Sequence, residues 1–148
     1  MIVNVYGCTG VIGKTLLRII KNQFPKYKIN LLCAKNNIKL LAKQCKEFNA
    51  NYVYLDNQKK SNTLRSILPK AVKILNKNEL KQYLHESRSD LSVLSVSGYE
   101  SLKYLELICI NTDKIGIVSK EAIVSAGHIF KNIVKKNNVS IQPLFSNE

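Results

Sequence analysis

Short apolar runs alternate along this chain with longer stretches whose apolar residues recur every three or four positions. A short continuous apolar run reads as a buried strand, and the three-to-four spacing reads as an amphipathic helix. On that basis strands are expected over Ile2–Tyr6, Lys28–Cys33, Tyr52–Leu55, Val72–Leu75, Leu91–Val96, Ile115–Val118 and Val139–Leu144. Helices are expected between them, over Ile12–Gln23, Ile38–Phe48, Asn57–Leu68, Asn76–His85, Ser101–Ile110 and Glu121–Lys136. In the first helix Ile12, Leu16, Leu17, Ile19 and Ile20 fall mostly on one face, and Pro25 stops it. In the second the apolar side is Leu40, Leu41, Cys45 and Phe48, and Pro69 ends the third.

Strands alternating with helices predict an α/β fold, Rossmann-like and doubly wound. The sheet is expected to be mainly parallel, with about six or seven strands and helices on both faces. Its connections should be right-handed. Open parallel sheets bind ligands at the carboxyl ends of their strands, near the point where strand order reverses. Three such ends carry distinctive residues here: those after Tyr6, after Cys33 and after Val118.

Composition narrows the picture. At 148 residues with 45% apolar content, the chain is expected to be a single domain, 1–148, with one proper core. No apolar run approaches the roughly 18 residues a membrane span needs, and no leader pattern precedes the first strand, so a cytoplasmic protein is expected. The formal charge is +13, but it comes almost wholly from lysines spread along the chain among Asn and Ile. Without a basic stripe interleaved with aromatics, specific nucleic-acid binding is not expected, although salt-sensitive adhesion to polyanions is. Cys8, Cys33, Cys45 and Cys109 form no C-x-x-C pair and read as small buried hydrophobes, not zinc ligands or disulfide partners. His85 and His128 are isolated on expected helices and suit surface or capping positions.

The first strand end is Gly7-Cys8-Thr9-Gly10-Val11-Ile12-Gly13. Glycines alone can serve any sharp turn. Between a strand and a helix, however, Gly7 permits the turn, Gly10 lets the backbone approach a pyrophosphate, and Gly13 allows close helix packing. The helix N-terminus then offers unpaired N–H groups and partial positive charge to phosphates. Gly13-Lys14-Thr15 lacks the preceding spacing of a P-loop. The second end is Cys33-Ala34-Lys35-Asn36-Asn37. An NAD site usually has an Asp or Glu here for the ribose 2′-hydroxyl. No acid lies between Ile2 and Glu47, and Lys35 with Asn36 and Asn37 suits the 2′-phosphate of NADP(H) instead. A plain surface loop in a Lys/Asn-rich chain is the other reading. At the third end, Ser119-Lys120-Glu121 opens a helix, where Glu121 also complements the macrodipole.

Together these residues resemble the N-terminal NADPH-binding domain of the 1-deoxy-D-xylulose 5-phosphate reductoisomerase family, of the non-mevalonate isoprenoid pathway. The likeness runs from GCTGVIG through Ala34–Asn37, Gln44-Cys45-x-Glu47-Phe48 and Tyr52-Val53-x-x-Asp56. It continues to Ser119-Lys120-Glu121-x-Ile123-Val124-x-x-Gly127, which is similar to the family's N-K-E-x-L-V-x-x-G. The resemblance implies that Thr9, Gly10, Val11 and Ile12, within the Gly7–Gly13 turn, meet the cofactor diphosphate and nearby groups. It assigns Lys35, Asn36 and Asn37 to the adenosine ribose and its 2′-phosphate. Lys35 stands one position earlier than the family's basic residue. By the same likeness Ser119 lies near the nicotinamide ribose, Glu121 near the nicotinamide, and Lys120 at the sugar-phosphate substrate.

The family's reaction is a metal-assisted skeletal rearrangement followed by hydride transfer from NADPH, with Mg²⁺ or Mn²⁺ held by carboxylates. Those ligands begin in a D-S-E motif, where this chain reads Pro143-Leu144-Phe145-Ser146-Asn147-Glu148. Ser146 alone is in register, so no metal site and no catalytic residue are expected, and Lys120 and Ser146 are vestigial substrate positions. The expectation is a truncated homologue that binds NADPH weakly and does not complete the reaction alone. Three other readings stay open. One is half of a split enzyme, completed by a separately encoded catalytic partner; a homodimer is the other assembly expected. Another is a different NADP-linked reductase or epimerase, although no Tyr-x-x-x-Lys dyad is present. The last is a non-enzymatic polyanion-binding protein.

Overall fold

The computed structural model describes residues 1–96, 100–117 and 131–143. Strands β1 (Ile2–Tyr6), β2 (Lys28–Ala34), β3 (Tyr52–Leu55), β4 (Lys73–Leu75), β5 (Ser89–Leu94), β6 (Thr112–Ile117) and β7 (Ser140–Pro143) form one sheet. The order is β4-β3-β2-β1-β5-β6-β7, and each neighbouring pair is parallel. The α-helices are α1 (Val11–Gln23), α2 (Ile38–Phe48), α3 (Ser61–Ile67), α4 (Lys77–Glu86) and α5 (Glu100–Asn111), with further helical backbone over 131–136. The expected Rossmann-like architecture is therefore the observed one, with seven strands among the described residues.

Alternation along each strand divides the core into two layers. Val3, Val5, Leu32, Ala34, Val53 and Leu55 point to one face, where they meet Leu17 and Ile20 of α1, Leu41 and Cys45 of α2, and Leu64 of α3. Tyr6, Leu31, Cys33, Tyr54, Leu94 and Ile117 point to the other, against Leu80 and Leu84 of α4 and Leu105 and Ile108 of α5. Burying a Leu or Ile side chain of this kind contributes about 1.5–3 kcal/mol. All four cysteines are buried and unpaired. Burial pushes the Cys8 and Cys33 thiols well up, and that of Cys109 up to about 11, so they behave as inert apolar side chains.

Several boundaries differ from the sequence expectation. The expected helix over 57–68 divides into a 3-10 turn, Gln58–Lys60, and α3. Asn57 causes the break, because its side chain accepts from the Lys59 amide at 3.3 Å and tightens the turn. Strands β5 and β6 start earlier than expected, at Ser89 and Thr112. Their polar beginnings are paired with each other and with the end of α5: Ser89 Oγ donates to Asn111 Oδ1 at 3.2 Å, and Arg88 pairs with Asp113. β5 ends at Leu94, two residues before the expected Val96, and the Ser95 amide instead bonds the Tyr6 carbonyl at 2.9 Å. Of the last expected strand the structure describes Ser140–Pro143, and the ends expected at Val118 and Leu144 lie outside the described residues.

Candidate functional site

The sheet order locates the site. β1 lies between β2 and β5, so successive crossovers leave it in opposite directions and open a crevice at its carboxyl end. The Gly7–Gly13 turn fills that position. Gly7 and Cys8 both donate their amides to the Cys33 carbonyl, at 2.9 and 3.0 Å, which fixes the turn over the end of β2. On the other side Ser95 Oγ donates to the carbonyls of Tyr6 and Gly7, at 2.7 and 3.1 Å. From α2, Gln44 Nε2 donates to the Cys8 carbonyl at 2.9 Å. The turn is thus braced from three elements before any ligand arrives.

The three glycines have three different reasons. Gly7 adopts φ +85°, and a Cβ there would meet Val96 Cγ1 at 2.6 Å and the Ser95 carbonyl oxygen at 2.9 Å. At Gly13 a Cβ would lie 2.2 Å from the Gly7 oxygen and 2.8 Å from Cys8 backbone atoms, so α1 can approach the turn only through glycine. Gly10 differs from both. Its backbone is extended, and a Cβ there would find its nearest neighbour, the Gly7 oxygen, at an ordinary 3.6 Å. The protein's own packing does not demand glycine at this point, whereas a ligand drawn close to the backbone would.

Gly10 is also the N-cap of α1. It has no side chain to bond the first-turn amides, and that turn holds no acidic residue. The N-terminus of α1 therefore keeps its partial positive charge, worth roughly half an elementary charge, unsatisfied by any cap. Val11 and Ile12 flank it with 77% and 48% exposure, which leaves an apolar rim beside an anion-attracting helix end.

The loop after β2 lies next to this turn. Lys35, Asn36 and Asn37 are all exposed. Asn37 Oδ1 accepts from the Leu40 amide at 3.1 Å and caps α2, leaving the side-chain N–H groups as its donors toward a ligand. Asn37→Ala is expected to cost about 1 kcal/mol through loss of that cap, measured by urea unfolding. The neighbouring loop after β3 is sewn to this one, since Asp56 and Asn57 donate their amides to the carbonyls of Ala34 and Lys35, at 2.9 and 3.0 Å. The Asp56 carboxylate accepts from Tyr104 of α5 at 2.5 Å.

Gly7, Thr9, Gly10, Val11, Ile12 and Gly13 thus share one rim with Lys35, Asn36 and Asn37. Ser119, Lys120, Glu121 and Ser146 lie outside the described residues, as does the 144–148 stretch that carries the metal expectation. Sequence reasoning missed the bracing roles of Ser95, Gln44 and Tyr104. A glutamine between Leu41 and Cys45 on the buried side of α2 was a readable signal for one of them. The serine and tyrosine had none, since their partners depend on strand order. Among the described residues, no helix is long and apolar enough to cross a membrane.

A parallel sheet with a glycine turn at its switch point and an uncapped helix behind it defines a Rossmann-like α/β domain. The model of the family described as 1-deoxy-D-xylulose 5-phosphate reductoisomerase matches residues 3–127. The chain belongs to that family. The reductoisomerase of Thermoanaerobacter sp. (strain X514) is 37% identical over 143 residues, which are 96% of this chain and 37% of the relative. That of Pelagibacter ubique (strain HTCC1062) is 32% identical, with the same shares covered. The chain therefore spans little more than a third of the length of the curated relatives it matches. Among solved structures, the Zymomonas mobilis reductoisomerase in complex with NADPH superposes with a TM-score of 0.83 at 24% identity, over 96% of this chain and 38% of that one. A Staphylococcus aureus homoserine dehydrogenase shares the fold more distantly, with a TM-score of 0.52 at 12% identity, over 97% of this chain and 32% of that one.

Proposed function

We propose that this chain binds NADPH across the β1 switch point, as the cofactor-binding part of a 1-deoxy-D-xylulose 5-phosphate reductoisomerase. The observation that carries the reading is Gly10: a residue whose glycine the protein's own packing does not require, at the uncapped, acid-free start of a helix. In this reading Gly7 and Gly13 shape the turn, Thr9, Gly10, Val11 and Ile12 receive the diphosphate, and Lys35, Asn36 and Asn37 receive the 2′-phosphate. Ser119 and Glu121 are assigned to the nicotinamide end and Lys120 to the sugar-phosphate substrate, from their match to the family motif. The bound dihydronicotinamide would supply a hydride to a carbonyl carbon. These residues hold and orient it, while the overall positive charge of +13 favours approach of the anionic cofactor.

The fold neighbour solved with NADPH and the family membership both support this reading. Cofactor binding is assigned to these 148 residues; turnover of deoxyxylulose phosphate is assigned to the full length of the relatives, which are nearly three times as long. The test is calorimetric titration of the chain with NADPH, NADH and 2′,5′-ADP at fixed salt. NADPH is expected to bind about tenfold or more tightly than NADH, because charge-assisted hydrogen bonds to the 2′-phosphate have no counterpart at a 2′-hydroxyl. Equal affinity for NADPH and NADH would remove the 2′-phosphate assignment. Equal affinity for NADPH and ATP, with a steep salt slope, would make the chain a general polyanion binder.

A further inference from the structure

The sequence offers one basic residue, Lys35, at the loop that follows β2. The fold brings another to the same place from the next loop. Lys60 closes the 3-10 turn after β3, and its Nζ donates to the Asn36 carbonyl at 3.4 Å. Two backbone bonds hold the loops in this register, Asp56 to Ala34 at 2.9 Å and Asn57 to Lys35 at 3.0 Å. Asn57 also fixes the turn by accepting from the Lys59 amide, and Gln58 donates to the Leu55 carbonyl from the opposite side. The base of Lys60 is therefore anchored while its exposed ammonium lies against the Asn36 backbone. At 3.4 Å to a neutral carbonyl that contact is long, and an anion would replace it readily.

We propose that Lys60 is a specificity-determining residue for the phosphorylated cofactor, sharing the 2′-phosphate with Lys35 from across the β2 and β3 loops. The proposal rests on the NADPH reading given above and adds to it the residue that completes the charge. A 2′-phosphate carries up to two negative charges, and one exposed lysine holds such a group weakly in water. One ammonium group on each of two loops that these backbone bonds hold in register can share the charge without either loop having to reorganise. Lys59 provides the internal control, being one residue away, exposed and of the same charge.

Titrations of NADPH, NADH and 2′,5′-ADP against the full chain and its Lys60→Gln, Lys59→Gln and Lys60→Arg variants test this. Lys60→Gln is expected to weaken NADPH and 2′,5′-ADP about tenfold and to leave NADH within about twofold. Lys59→Gln is expected to change all three ligands by no more than about twofold, and Lys60→Arg to retain the preference. A NADPH-to-NADH ratio unchanged by Lys60→Gln would overturn the proposal while leaving the cofactor reading intact. So would equal losses in Lys59→Gln and Lys60→Gln, which would signal diffuse attraction only. Failure of the unaltered chain to bind either dinucleotide would overturn both.

Discussion

Gly13→Ala is expected to destabilise the protein by about 3 kcal/mol and to lower its melting temperature by about 10 °C. The added methyl would sit 2.2 Å from the Gly7 oxygen and 2.8 Å from the Cys8 Cα and carbonyl carbon. All three are backbone atoms, and the backbone there cannot retreat. Cys33 accepts the amides of both Gly7 and Cys8, Gln44 holds the Cys8 carbonyl, and Ser95 holds that of Gly7. Either the turn loses these bonds or α1 shifts away from the sheet and opens the contacts of Leu17 and Ile20. The helix-propensity gain of alanine over glycine, about 1 kcal/mol, offsets only part of that cost. Thermal unfolding reads the result, and an unchanged or raised melting temperature would mean that α1 does not pack against the turn in this way.

Gly10→Ala is expected to do the reverse. Its backbone is extended, and the nearest atom to the new methyl is 3.6 Å away, so stability should stay within about 1 kcal/mol. Binding should suffer instead. The methyl would stand at the mouth of the first helical turn, between the amides and the diphosphate they receive, and push the ligand outward. A close-contact penalty of about 2 kcal/mol corresponds to about thirtyfold weaker NADPH binding, and NADH should weaken in the same proportion because the two share the diphosphate. Two glycines three residues apart thereby separate folding from function. If Gly10→Ala bound NADPH as tightly as the unaltered chain, the diphosphate would not lie on this turn.

The elements were legible in the sequence because each carries its own period. Buried parallel strands such as β2 and β3 are short apolar runs, and α1 and α2 show an apolar side every three or four residues. The glycine turn was legible for the same reason, since its meaning depends on a strand before and a helix after it. What escaped the sequence depends on which strands become neighbours. Asn4 interrupts the apolar run of β1, a visible sign of a buried polar partner. That partner is Asn111, which accepts from Asn4 Nδ2 at 3.0 Å across 107 positions of sequence. Tyr83 bonds the same Asn4 at 3.3 Å and accepts from Asn30 at 2.6 Å, and Asn30 is the extra residue where the β1–β2 register shifts. This network ties β1, β2, α4 and α5 together near the starts of the strands, away from the crevice. Lys60 was hidden in the same way, as one lysine among many until the β3 loop brought it to Asn36.

The residues that resemble the family lie at both ends of the chain, and those of the first half lie among the described residues. Gly7–Gly13 and Lys35–Asn37 share one rim because both loops leave the carboxyl ends of adjacent strands, a consequence of the parallel order β2-β1.

Amide hydrogen exchange with and without saturating NADPH, read residue by residue, tests the central claim most directly. Protection is expected to rise at Val11–Gly13, the first-turn amides that lack a side-chain cap, and at Lys35–Asn37, while the distant β4 edge stays unchanged. Protection confined instead to the basic groove between α1 and α2, lined by Lys14, Arg18 and Lys43, would mean that the turn is only a tight connection and that NADPH is held as one polyanion among others.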